Sequence, residues 1–154
     1  PGFVLFDDIE KIVISTIDYD IELYKDYYNE LIDTCKLNNF NTANKIIGFV
    51  GNINETNKNG WTPLLVACYY GSFNLVKLLI EKGANPHLTN LNGTTTLMYA
   101  KEAFLRDRDF STLEILIQNK VNIEAKDIYE KSIYDYIEDI ELINFLNIYN
   151  DKIS

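Results

Sequence analysis

The chain has one histidine, His87, directly after Asn85-Pro86. Asn-Pro initiates turns, so this imidazole is expected in a surface loop rather than in a catalytic site. The adjacent carboxylates Asp7-Asp8 and Glu138-Asp139 fall on expected solvated faces. The seven glycines sit at turns or helix ends, and none begins a phosphate-cradling run. Cys35 and Cys68 have no cysteine or histidine cluster of the kind a metal requires. The residues therefore lead to an expectation of no enzyme, no catalytic residues, no metal and no cofactor. What the chain does carry is chemistry of contact. Trp61, Tyr69 and Tyr70 occupy positions that the helical pattern leaves exposed, and Trp and Tyr bury much area at little entropic cost.

The stretch that must position these rings is 57–89. Asn59-Gly60 suits both central positions of a tight turn at positive φ. Thr62 can cap a helix whose first position is Pro63, where no N–H is needed. Leu64, Ala67 and Cys68 recur at i, i+3 and i+4, giving a first helix with one small-residue face. Gly71 suits a bend. Leu75, Val76, Leu78, Leu79 and Ile80 give a second helix a broad apolar face. Gly83 fits a left-handed helix stop, and Pro86 keeps the helix from continuing. Gly60, Thr62, Pro63, Leu64, Ala67, Gly71, Val76, Leu79, Gly83, Ala84 and Asn85, in that order and spacing, resemble one ankyrin repeat.

Weaker copies flank it. Moved back by 33 residues, the window places Leu31 on Leu64, Cys35 on Cys68, Ala43 on Val76, Ile46 on Leu79 and Asn52 on Asn85. Thr-Pro is missing there, as in a degenerate N-terminal cap whose first helix is free to run longer. Moved forward by 33, it places Asn92-Gly93 on Asn59-Gly60 and Ala100 on Ala67. Ile115-Leu116-Ile117 then matches Leu78-Leu79-Ile80 only at an offset of 37, so four residues are inserted within Ala103–Asp109. Such insertions map to loops or helix ends, either as part of a binding face or as a solvated loop between the helices. A last partial copy begins at Asp127. There Ile137, Ile140, Leu142, Ile143 and Phe145 form an apolar face, with Asp135, Glu138, Asp139 and Glu141 opposite, as a terminal cap requires. The tail Asn150–Ser154 is expected to fray. At the other end an amphipathic helix is expected from about Asp20 to Leu37, through Ile21, Tyr24, Tyr28, Leu31, Ile32 and Cys35. Before it, Asp7–Ile14 reads either as a short helix with Ile9, Ile12 and Val13 on one side or as a strand over Ile12–Ile17.

The resemblance implies an all-α fold, a short right-handed solenoid of stacked helix pairs with projecting hairpin loops and an extra N-terminal helix. The expected divisions are an N-terminal helical extension over 1–23 and a repeat domain over 24–154, with repeats at about 24–56, 57–89, 90–126 and 127–149. In stacked repeats Cys35 and Cys68 lie about a helix diameter apart, beyond the roughly 7 Å a disulfide spans, and are expected reduced and buried.

An apolar share of 47% suits a folded domain, and no apolar run approaches the roughly 18 residues needed to cross a membrane. The net charge is −9: ten acids and four lysines give −6 over 1–56, six acids and eight bases give +2 over 57–126, and seven acids and two lysines give −5 over 127–154. Nucleic acid is a poor partner for such a chain. The chain starts at Pro1 rather than Met, as a trimmed or processed form would, so a removed leader stays open. Reduced cysteines and the lack of a visible secretory pattern favour the cytoplasm. Oligomeric state stays open, with a monomer favoured, since an exposed aromatic patch could meet a copy of itself.

The resemblance further implies a partner protein, held on the concave face by hairpin tips and first helices. The family's contact positions fall on Lys58, Asn59, Trp61, Tyr69 and Tyr70, then Leu91, Asn92, Thr94, Glu102 and Ala103. In the caps they fall on Lys36 and Leu37, and on Ile128, Tyr129 and Lys131. For Trp61 and the two tyrosines, packing on the neighbouring hairpin and over the helix bend is the competing reading. The acidic ends suggest an alternative role, an inhibitor or immunity-type protein that clamps a basic enzyme.

Overall fold

The structure, a computed structural model, describes residues 6–153, without the side chains of 6–10, 12, 18–26 and 153. Residues 3–47 contain neither glycine nor proline, and one helix, α1 (Phe6–Lys36), runs through most of them. The short helix at 7–14 and the helix from Asp20 are therefore one element, without a break at 23, and the strand at 12–17 is not formed. Ile9, Ile12, Ile21 and Tyr24 lie outside the described side chains. Val13 is exposed, while Tyr28, Leu31, Ile32 and Cys35 are buried. The helix stops at Asn38, in the left-handed region at φ 52°, where Asn39 N–H returns to the Thr34 carbonyl at 3.0 Å. The Asn39 side chain then caps α2 (Phe40–Ile46) by accepting from Thr42 N–H, and a 3-10 turn follows at Ile47–Phe49.

Two complete helix pairs follow. Thr62 caps α3 (Pro63–Tyr70) with its hydroxyl on Leu65 N–H, and Pro63 opens the helix. Gly71 ends it at φ 72°, where a Cβ would lie 2.7 Å from that of Ala103, so only glycine lets the next helix approach. Its partner is α4 (Phe73–Glu81). Thr95 caps α5 (Thr96–Asp107) in the same way on Met98 N–H, and α6 (Ser111–Gln118) returns. A 3-10 turn at Ile133–Tyr136 and α7 (Ile140–Ile153) close the stack. Helices α1, α3 and α5 form an inner row in sequential contact, continued by the 3-10 turn, and α2, α4 and α6 form the outer row. The core lies between the rows and joins leucines such as Leu31, Leu64, Leu79, Leu97, Leu116 and Leu146 into one cluster.

The inserted residues are not a loop. Helix α5 has 12 residues where α3 has 8, so the insertion is one added helical turn. Phe104 explains it: fully buried, it stacks on Phe110 at 4.3 Å, and Phe110 stacks on Phe145 of α7 at 4.2 Å. Arg108 ends the turn at φ 58° and binds Asp139 and Glu141.

The last repeat differs from expectation in three places. Its first helix shrinks to the 3-10 turn, held by a capping box between Ser132 and Asp135. Ile140 is 73% exposed, because the buried stripe of α7 starts at Leu142 and continues to Leu146, one turn on. The helix also persists past Asn150, whose side chain donates to Glu124 at 3.0 Å, rather than fraying there. Ser154 lies outside the described residues.

Candidate interaction surface

Three hairpin tips project beside the inner row, and all are built around one side chain. Asn57 Oδ1 accepts from the N–H groups of Asn59 (2.9 Å) and Trp61 (3.1 Å). Asn90 does the same for Asn92 and Thr94, both at 2.9 Å, and Asp127 for Tyr129 (2.8 Å) and Lys131 (3.1 Å). In each, the fourth residue donates back to the first carbonyl: Gly60, Gly93 and Glu130, all at positive φ. Only that fourth residue is left-handed. Asn59 is not at positive φ, which corrects the expectation of a turn with both central residues there, because the Asn57 carboxamide already sets the bend. A Cβ on Gly60 would lie 2.7 Å from the Leu91 backbone nitrogen, so glycine there lets neighbouring tips pack.

The tips and α3 bring the expected aromatic residues together. The Tyr69 ring meets Trp61 edge-on at 6.0 Å and Tyr70 edge-on at 5.1 Å. Two further residues complete the group. Tyr99 lies 4.4 Å from Trp61 and 6.0 Å from Tyr69, and its hydroxyl accepts from Asn90 Nδ2 at 2.7 Å. Arg106, on the added turn of α5, stacks 5.6 Å over Tyr69 and donates to its carbonyl at 2.9 Å. Neither was foreseen. Tyr99 occupies the register position of Val66, an aliphatic in the better repeat, and Arg106 belongs to the insertion.

This ridge separates two grooves. One, about 430 Å³, runs along Tyr69, Tyr99, Glu102, Tyr129 and Tyr136. The other, about 270 Å³, is lined by Lys36, Asn57, Asn59, Trp61 and Tyr70. Trp61, Tyr69, Thr94 and Glu102 are half-buried, and Glu102 contacts Lys101. Lys58, Asn59 and Asn92 are exposed at the tips, where Leu91 and Tyr129 are 71% and 65% exposed, beside Ile128. Lys36 and Leu37 are exposed at the N-terminal end of the row, with Lys36 on Asp33 at 2.8 Å, and Lys131 lies 5.4 Å over the Tyr136 ring. Ala103 departs from expectation. It is buried against Gly71, because the added turn carries the exposed end of α5 past it.

The electrostatics of this face are those of a hydrogen-bonding surface. The Tyr136 hydroxyl donates to Asp127, which pushes its pKa up to about 12. Burial raises Tyr99, and burial, followed by the charge of Glu55, pushes Tyr28 up to about 12. All three phenols are protonated at neutral pH; Tyr136 donates to Asp127 and Tyr28 to the Trp61 carbonyl, while Tyr99 accepts from Asn90. Burial pushes the Cys35 thiol up to about 12 and Cys68 higher, so both free cysteines are inert thiols inside the stack. His87 is exposed in its loop. Among the described residues, no group of three or more His, Cys, Asp or Glu is placed to hold a metal ion, and no helix is long and apolar enough to cross a membrane.

A family model described as ankyrin repeats, in 3 copies, matches residues 31–127. This chain belongs to the ankyrin repeat family. The matched span runs from the last part of α1 to the start of the third hairpin and contains α2 and the two pairs α3–α4 and α5–α6. Ankyrin repeats generally mediate protein–protein interaction and are typically non-enzymatic. Curated proteins gave no match.

Proposed function

We propose that the concave face binds a partner protein, with Trp61, Tyr69, Tyr70 and Tyr99 as its centre and Leu91 and Tyr129 at the tips. The observation that carries this reading is the aromatic ridge, with rings 4.4–6.0 Å apart and a groove on each side. Interface hot spots concentrate in such Trp, Tyr and Arg clusters. Trp61 is a poor first test, because losing its contacts with Tyr69 and Tyr99 would cost about 0.5–1.5 kcal/mol per ring pair in the fold itself. Tyr70 is 43% exposed and Tyr129 more so, and both can be shortened with little structural loss. A partner that co-purifies with the chain from its native source, identified by mass spectrometry and then purified, gives the assay. Tyr70→Ala and Tyr129→Ala should each weaken its binding by about 1–2 kcal/mol or more. Lys77→Ala, on the outer row, should leave binding unchanged. Normal binding by both tyrosine variants would remove the concave face from consideration.

The acidic ends are not equally available for a basic partner. Asp127 sets a hairpin, Asp135 closes a capping box, and Asp139 and Glu141 hold Arg108. Most of the C-terminal acids are thus engaged within the fold.

A further inference from the structure

From Ile14 to Cys35, apolar residues of α1 recur at spacings of three and four in strict alternation, the pattern of a helix that lays one seam against another helix. The C-terminal part of that seam is used inside the molecule, where Tyr28, Leu31 and Cys35 are buried and α1 contacts α2, α3 and the 3-10 turn after α2. Among the side chains described at its outer end, between 11 and 17, the seam is exposed. Ile14 and Ile17 are each 51% exposed and Val13 is 50% exposed, and every side chain described between 11 and 17 is exposed. Length explains why. With 31 residues α1 reaches about 46 Å, while the 8 residues of α3 cover about 12 Å. The outlying part is also strongly charged: residues 6–26 hold seven acids and two lysines, a net −5.

We propose that this outlying part of α1 is a second docking surface, which takes an amphipathic helix of a partner protein with an apolar seam flanked by lysines and arginines. The charge selects that occupant. A second copy would set −5 against −5, and an anionic lipid surface would be repelled in the same way. Helix propensity supports a helical partner. Ile12, Val13, Ile14, Thr16 and Ile17 are β-branched and weak helix formers, so apolar contact along this seam adds the stabilisation that local preference lacks.

The test uses the whole chain and a fluorescent helical peptide of leucines at alternating three and four spacing with lysines elsewhere, read by anisotropy. A matched leucine–glutamate peptide is the charge control. The lysine peptide should bind, more weakly as salt rises, and the glutamate peptide should not. The double variant Ile14→Ser with Ile17→Ser should bind at least tenfold more weakly. Ile14→Leu with Ile17→Leu, which keeps the seam apolar, should bind like the wild type, as should Tyr70→Ala, which separates this surface from the concave face. Equal binding by the serine variant, equal binding of the two peptides, or a wild-type dimer that the serine variant abolishes would each overturn the proposal.

Discussion

Phe104→Ala tests whether the added turn of α5 is an anchored part of the core. The ring is fully buried, stacks on Phe110 at 4.3 Å and carries Arg108 at 4.5 Å. Truncating a buried Phe to Ala typically costs about 3–5 kcal/mol, through lost transfer energy and the cavity left behind. The stack on Phe110 is worth about 0.5–1.5 kcal/mol within that total. Set against an overall stability of about 5–15 kcal/mol, this is a large fraction. With a urea slope of about 1–3 kcal/mol per molar, the unfolding midpoint should fall by about 1 M or more. The loss should extend to α7, since Phe110 stacks on Phe145 and Phe145 meets the tilted Tyr149 ring at 5.0 Å, so amides of α7 should exchange faster. Leu105→Ala, next in sequence but exposed, is the control and should cost under about 1 kcal/mol. If both variants lost under about 1 kcal/mol, with exchange in α7 unchanged, the turn would be a surface excursion and its placement of Arg106 against Tyr69 incidental.

Gly71→Ala should cost about 2 kcal/mol or more in urea unfolding, from the left-handed backbone and the collision with Ala103, and adding Ala103→Gly should restore the steric part. Lys120→Gly should raise stability by about 0.5–1 kcal/mol, because Lys120 is at φ 61° where the preceding repeat has Gly83. Asp127 is held below the ordinary carboxylate value, first by the Tyr136 hydroxyl and then by the backbone N–H groups of Lys131 and Tyr129. A lowered folded pKa gives stability that is complete above the unfolded value of 3.8 and lost as pH falls through the folded one. Asp127→Asn should therefore flatten the fall of the thermal midpoint below about pH 4, and it should keep the turn, since Asn57 and Asn90 do the same work in the other tips.

The central repeat was legible because every local signal in it agrees: the Thr62 cap, Pro63, the left-handed Gly71 and Gly83, and the apolar stripe of α4. Legibility failed where tertiary packing replaced local preference. A short helix at 7–14 or a strand at 12–17 was expected before a separate helix from Asp20, but with no glycine or proline nearby one helix simply continues. The insertion was expected either in a loop or at a helix end, and burial of Phe104 decided for the helix end, a contact with Phe110 and Phe145 that sequence spacing does not reveal. At the surface, register alone grouped Trp61, Tyr69 and Tyr70 and expected all three exposed, whereas Trp61 and Tyr69 are half-buried against each other and Tyr99. Tyr99 could not be found from register, since its exposure depends on the tip that Asn90 builds beside it.

The hairpins also show why the residues at their tips can vary. In the third tip glycine is replaced by Glu130, yet the backbone is still left-handed at φ 60° and the same hydrogen bonds form. The bend is therefore specified chiefly by the first residue, Asn57, Asn90 or Asp127, whose oxygen takes two N–H groups at once. The two residues between owe the turn nothing beyond their backbone. They read Lys58-Asn59, Leu91-Asn92 and Ile128-Tyr129, so the tips change from polar to apolar along the stack without altering the fold. The larger groove lies at the apolar end, between Tyr99 and Tyr129. A partner held by this face would then place its most apolar residues toward the C-terminal repeats and its polar contacts toward Lys58.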